Sequence, residues 1–235
     1  MKKTLFLFLF FSISIFGQQR TISVEYKTEL FEQETEIPDE FLKNMYKDAL
    51  SNSKLVRFNL LIHDNVAKFY DLPCLSISNN NAKNFMLAWM GYTRIIYTKK
   101  DSVYSESMFL DSNKLVKNTL LTNWTITSEN KIIDNYLCFK ATTMFEVDNG
   151  VKKNIVPVTA WFCPSLPYSF GPVGYGGLPG LILELQVRKS WFAVSKIDFD
   201  SKVTFKEEEF SKKKKISVEE LNIQIKKTTD EMFKD

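Results

Sequence analysis

Along most of the chain hydrophobic and polar residues alternate with a period of two, and the departures from that period mark the helices. In TISVEYKTEL, Ile22, Val24, Tyr26 and Leu30 stand against polar neighbours, the pattern of a half-buried strand. After Pro38 the period changes. DEFLKNMYKDAL puts Phe41, Leu42, Met45, Ala49 and Leu50 on one face behind acidic Asp39 and Glu40, and predicts an amphipathic helix of about three turns. KLVRFNLLIHDNVAKFYDL predicts a hairpin, Leu55–Ile62 and Val66–Leu72, around His63-Asp64-Asn65. NNNAKNFMLAWMG reads equally as a short helix or a turn that stops at Gly91.

Further strands follow with few interruptions. TRIIYTKKDSVYSESMFL predicts a hairpin around Lys99-Lys100-Asp101, SNKLVKN and WTITSE two short strands, and IIDNYLCFKATTMFEV with NIVPVTAWFC a long hairpin centred on Asn149-Gly150. LILELQV and SWFAVSKIDF are strands joined at Arg188-Lys189. Near the end, Ser217 and Glu220 form a capping box, with Ile216 and Leu221 placed as its hydrophobic staple. A terminal helix is expected there, its stripe of Leu221, Ile225, Thr228 and Met232 docking on the sheet. Lys212 to Lys215 just before it read as a solvated linker, since no aromatic residue interleaves them. The expected fold is mainly β (α+β): a strongly curved antiparallel meander sheet or open barrel with two or three helices. One domain is expected over residues 18–210, followed by a basic linker and helix over 211–235.

The first residues break the pattern. MKKTLFLFLFFSISIFG carries Lys2 and Lys3, then twelve residues from Leu5 to Phe16 that are almost all apolar, then Gly17. This predicts a cleaved secretory signal peptide over residues 1–17, too short for the roughly 20 residues that span a bilayer. The mature chain is then expected in the periplasm or outside the cell, with no transmembrane segment. Without Lys2 and Lys3 the 31 basic side chains become 29 against 28 acidic, a net charge of +1, which supplies no nucleic-acid footprint.

Export matters for Cys74, Cys138 and Cys163, because oxidising conditions favour one disulfide and leave one thiol over. A two-residue Asn149-Gly150 turn pairs strand residues whose numbers sum to 299, so that Cys138 and Cys163 are diagonal neighbours on one face. A shift of two in register, centred on Gly150-Val151, sets them directly opposite. A Cys138–Cys163 disulfide and a pair of small buried hydrophobes both remain open.

Candidate chemistry is narrowed by elimination. GYGGLPGLILEL, Gly174 to Leu185, has the glycines of a phosphate loop but leads into a strand-type run, and it lacks the Gly-Lys-Ser/Thr end of a P-loop. No G-x-S-x-G elbow occurs, and the single histidine, His63, sits at a turn beside Asp64 where an exposed turn residue is expected. One histidine and three scattered cysteines do not match zinc spacings. No catalytic, cofactor-binding or metal-ligating set is therefore expected. The glycines are read as a fold device, and the aromatic strands as either an ordinary core or the wall of an apolar cavity.

From Trp124 onward the chain resembles a known family. Trp124, Ile126, Glu129, Lys131, Ile133, Tyr136, Cys138, Lys140 and Ala141 match its first block. Gly171, Pro172, Gly177, Leu178, Pro179, Gly180, Leu181 and Ile182 match its second. On these blocks the chain is similar to the GLPGLI family of exported proteins, found mainly in the Bacteroidetes. The resemblance departs at Cys163, where a threonine-like residue is usual, and at Gly176, where a bulky one is common. It implies an address in the cell envelope and supplies no reaction. By strand order the outline is also similar to periplasmic lipoprotein carriers, a curved sheet with helices in its concavity, which is an analogy of fold.

The function expected is thus a non-catalytic envelope protein that binds a hydrophobic ligand or a lipidated partner in a curved-sheet cavity. An interaction module accessory to an outer-membrane assembly is the alternative, and a carboxylate-based hydrolase a minor one. The expected partners are an apolar ligand or an envelope protein, not nucleic acid.

Overall fold

The computed structural model describes residues 21–32, 37–74, 76–77, 80–92, 94–107, 110–148, 153–203, 205 and 207–232. The predicted signal peptide and the Asn149-Gly150 turn lie outside the described residues.

Twelve strands among the described residues form one sheet made of two meanders. The first runs through β2 (Arg57–His63), β3 (Val66–Asp71), β4 (Ile96–Lys99), β5 (Ser102–Ser105) and β6 (Lys114–Thr119). The second runs through β7 (Thr125–Ile133), β8 (Tyr136–Asp148), β9 (Lys153–Cys163), β10 (Leu181–Val187) and β11 (Ser190–Asp198). β1 (Ile22–Leu30) joins them, pairing antiparallel with β2 on one side and β11 on the other. A short β12 (Lys214–Ile216) adds to β6 in parallel.

The connectivity forces this sheet to curl. Ten strand spacings separate β6 from β7, which in a flat sheet would put them roughly 48 Å apart. Only Leu120–Trp124 connect them, a link that reaches roughly 20 Å. The sheet therefore bends round on itself, yet no ladder joins its two edges and it stays open.

Curvature gives the sheet an inner and an outer face. Period-two alternation sends Tyr26, Phe58, Phe69 and Phe192 inward, where Phe58 stacks on Phe69 at 4.9 Å and meets Phe192 and Tyr92 edge-on. Two helices cover this face. α1 (Glu40–Asn52) is capped by Asp39, whose carboxylate accepts from the Leu42 amide at 2.8 Å. α2 (Asn80–Trp89) resolves the ambiguous NNNAKNFMLAWMG as a helix, and it buries Met86 and Leu87. The buried side of α1 is rotated from the expected one: Tyr46 and Ala49 are buried, whereas Phe41 is 70 % and Leu42 43 % exposed. Tyr46 packs on Trp89 at 4.5 Å between ring centres, and that contact sets the phase.

On the outer face, at one end, Leu61, Val66, Tyr97 and Leu115 form a second cluster under Phe205 and Phe210. Burying two phenylalanines there contributes about 1.5–3 kcal/mol each. Phe210 lies on α3 (Glu207–Ser211), a turn of helix not foreseen in the sequence. The lysine run is not a solvated linker. Lys214–Ile216 pair with Lys114–Val116, Lys213 bonds Glu106, and Lys215 lies 4.4 Å from the centre of the Phe210 ring. The run joins the sheet because Phe210 and Ile216, either side of it, are both buried.

α4 (Val218–Met232) begins with the expected capping box. The Ser217 hydroxyl accepts from the Glu220 amide at 3.1 Å, and the Glu220 carboxylate accepts from the Ser217 amide at 3.0 Å. The helix rests against β6 with Leu221 and Ile225 only half-buried. No helix of the described residues is long and apolar enough to cross a membrane.

Candidate functional site

The glycine-rich segment lies across the inner face as a strap. Leaving β9, it is pinned by Leu181 N–H to Leu166 O at 2.9 Å and by Ile182 N–H to Phe170 O at 3.0 Å. Tyr26, fully buried, donates its hydroxyl to Ile182 O at 2.6 Å, and burial raises that phenol far above its ordinary pKa. The far side of the strap meets the β6–β7 link: Trp124 donates its indole N–H to Gly176 O at 2.9 Å and sets its ring edge-on to Tyr175. The strap thus fills the mouth between the two sheet edges.

Glycine is required here by contact. A Cβ on Gly176 would stand 2.5 Å from Ser169 O, and one on Gly180, at φ +156°, 2.2 Å from Cys163 O. Of the motif residues, Gly171, Pro172, Leu178, Gly180, Leu181 and Ile182 are buried; Gly177 and Pro179 are exposed. Leu181, Ile182 and Leu183 are buried on both faces of the sheet.

Glu129, Lys131 and Lys140 of the motif gather on the outer face of β7 to β10. Lys131 pairs with Glu184 at 2.8 Å and lies 4.3 Å from the centre of the Trp161 ring, while Lys140 pairs with both oxygens of Glu129 at 2.9 Å. Each cation here has its carboxylate, so the group compensates itself. Tyr136, half-buried, faces Ile133 across the turn at Asp134-Asn135. That turn was hidden in IIDNYL; both its residues have positive φ, which Asp and Asn tolerate.

Cys138 and Cys163 sit beside this group. The β8–β9 pairs sum to 301, from Phe139 opposite Phe162 to Asp148 opposite Lys153, and not to 299. This is the register that a Gly150-Val151 centre gives, shifted by two from the Asn149-Gly150 one; residues 149–152 themselves lie outside the described residues. Both registers keep the same side chains inside; the observed one gains the Phe139–Phe162 aromatic pair at 6.4 Å. Continued by one pair, it sets Cys138 opposite Cys163. Both are buried free thiols, and burial first, then the neighbouring Cys163, push the Cys138 thiol up to about 12. Cys74 is half-buried elsewhere.

Recesses open around the helices. One lies between β3, α2 and β5, where Asp71 accepts from Lys83 at 2.6 Å and from the Tyr92 hydroxyl at 3.1 Å. Glu106, on its rim, is held by Lys213, so both carboxylates carry a lysine partner. Burial first, and the Asp71 charge second, raise the Tyr92 phenol well above its ordinary range. His63 ends β2 half-buried, its Nδ1 3.1 Å from Thr21 Oγ1 and its ring near Phe205, and is not the exposed turn residue expected. Among the described residues no three His, Cys, Asp or Glu side chains are grouped to hold a metal.

A second recess has a different character. It is a groove of about 360 Å³ between α1, α2 and the β10–β11 turn. Leu30 and Phe31 form its floor, Tyr46 one wall, and Phe85, Ala88 and Trp89 the other. Arg188 and Lys189 stand at its rim. Phe85 meets Trp89 at 5.9 Å between ring centres. Sequence reading missed this site because it assigned Phe41 and Leu42 to the core. The available signal was Tyr46, Ala49 and Ser53, spaced as one helical face.

A family model described as a protein of unknown function (Porph_ging) matches residues 124–184, about a quarter of the chain. No curated protein sequence matches the chain. Among solved structures it is similar to PNGF-II in two crystal forms, each with a TM-score of 0.52, at 13 % and 14 % identity. Those matches cover 88 % of this chain but only 33 % and 32 % of PNGF-II, so the chain spans about a third of that protein's length. The likeness is one of fold. LprF from Mycobacterium bovis also matches, with a TM-score of 0.29 and 9 % identity over 80 % of this chain and 89 % of that one, too weak to argue from.

Proposed function

We propose that this is an exported, non-catalytic envelope protein of the GLPGLI type that binds a hydrophobic ligand, and that it does so in the aromatic groove beside α1 and α2. The groove carries the reading: Phe31, Phe85 and Trp89, none of them fully covered, line one recess with the buried Tyr46. The inner face of the sheet is filled by helices, strap and packed aromatics, which supports a binding site at its margin. The paired state of Asp71 and Glu106 favours binding over carboxylate catalysis.

One observation favours protein interaction as a second reading. β7 is the last strand of the sheet at its edge, and Ile126 and Ile132 on it are exposed, Ile132 by 73 %. Native mass spectrometry of protein purified from the envelope separates the two. A bound lipid mass supports ligand binding, and a protein partner's mass supports the second reading. A clean apo mass with no uptake of a fluorescent acyl probe overturns ligand binding.

A further inference from the structure

We infer that the groove takes a single-chain anionic amphipath of the fatty-acid type, its chain against the aromatic wall and its carboxylate on Arg188 and Lys189. The inference rests on the groove being the ligand site and adds what the ligand must be.

Charge is the first argument. On the outer face, Lys131, Lys140, Lys68 and Lys99 each hold a carboxylate within 3.5 Å. Arg188 and Lys189 make no ion pair among the described residues, although they line the aromatic groove. Two cations outside any ion pair, beside an apolar trough, are complementary to an acyl chain that ends in an anion, and the guanidinium fork matches a carboxylate with two parallel hydrogen bonds.

Backbone geometry is the second. Arg188 occupies the turn with φ +55°, a left-handed conformation that suits Asn or Gly better than an ordinary side chain. The turn is also tied to the trough, because Phe31 N–H donates to Lys189 O at 2.8 Å. The backbone that carries the two cations is therefore held beside Phe31. Size is the third argument: about 360 Å³ lies near the bottom of the roughly 300–1,000 Å³ range of ligand pockets, which favours one chain over the two of a phospholipid.

The test uses the full mature chain loaded with the neutral fluorophore N-phenyl-1-naphthylamine, displaced by laurate, by dodecanol or by dioleoylphosphatidylglycerol vesicles. Laurate is expected to displace the probe at a concentration about tenfold below that of dodecanol. In the Arg188→Asn/Lys189→Gln variant the laurate midpoint should rise about tenfold while that of dodecanol stays put. Asn accepts the left-handed φ, and circular dichroism confirms that the variant is folded. Equal laurate and dodecanol midpoints, or a laurate midpoint unmoved in the variant, overturn the anionic head and leave the groove standing. Vesicles that displace the probe at lower lipid concentration than laurate overturn the single chain. Failure of every ligand to displace, or of the probe to bind at all, overturns the groove reading and this inference together.

Discussion

β10 carries two unlike regions at its two ends. Before Leu181 lies the strap, in which amides are paired, carbonyls accept from Tyr26 and Trp124, and a single added Cβ would strike backbone. Beyond Val187, seven residues and roughly 23 Å away, lies the groove, in which Phe85 and Trp89 are half covered and two cations stand outside any ion pair. The family model matches residues 124–184, which includes the whole strap and none of the groove's lining residues. The motif therefore describes how the sheet is held in its curl, and the chemistry available for binding lies where the motif is silent.

The largest expected effect breaks the strap. Gly180→Val would drive a branched side chain into Cys163 O, 2.2 Å from the new Cβ, and into the Pro164 nitrogen at 2.9 Å, at a φ that valine does not adopt. A loss above about 4 kcal/mol is expected, enough to abolish soluble folded protein. Urea denaturation checks it, and a wild-type midpoint would remove the contrast between the two regions.

A smaller effect sharpens it. The β8–β9 register makes Cys138 and Cys163 neighbours next to the strap's first residue, so oxidation by glutathione disulfide should link them. On the chain-entropy model, closing a loop of about 25 residues contributes roughly 3 kcal/mol. Non-reducing peptide mapping should show the bond, and dithiothreitol should lower the urea midpoint; no bond and no change would leave the pair as packing hydrophobes. The reduced form also carries a pH signature. The Cys138 thiol is raised from 9.0 to about 12 in the folded state, so the unfolded chain ionises first. Stability is unaffected below pH 9 and falls as pH rises from 9 towards 12.

Much of this fold was legible in the sequence because sheet alternation is a local signal. The strands from TISVEYKTEL to SWFAVSKIDF, apart from the Asp134-Asn135 turn that splits IIDNYL, and the capping box at Ser217 follow from residue spacing alone, as does the structural character of the glycines. What was not legible depends on contacts distant in sequence. Nothing local says that β1 pairs with β11, 160 residues away, or that Phe205 and Phe210 return to cover Tyr97. The groove failed to show for the same reason. Its wall needs Tyr46 and Trp89 to meet, and an apolar first turn of α1 reads as core unless one knows that the sheet ends beneath it.

The smallest expected change in stability tests the other half of the comparison. Phe85 contacts Trp89 but is not among the side chains packed against the main core, so truncating it removes area that water already reaches in part. Phe85→Ala should therefore cost at most about 1 kcal/mol, well below the 3–5 kcal/mol of a buried phenylalanine. Uptake of the neutral acyl probe should nevertheless fall, because the same ring forms a wall of the groove. That dissociation is the mark of a surface maintained for contact with something else: a region whose residues were only incomplete core would lose stability and binding together. Urea midpoints and probe titrations on one preparation decide it, and a stability loss equal to that of a buried ring, with probe uptake unchanged, would make the groove part of the scaffold.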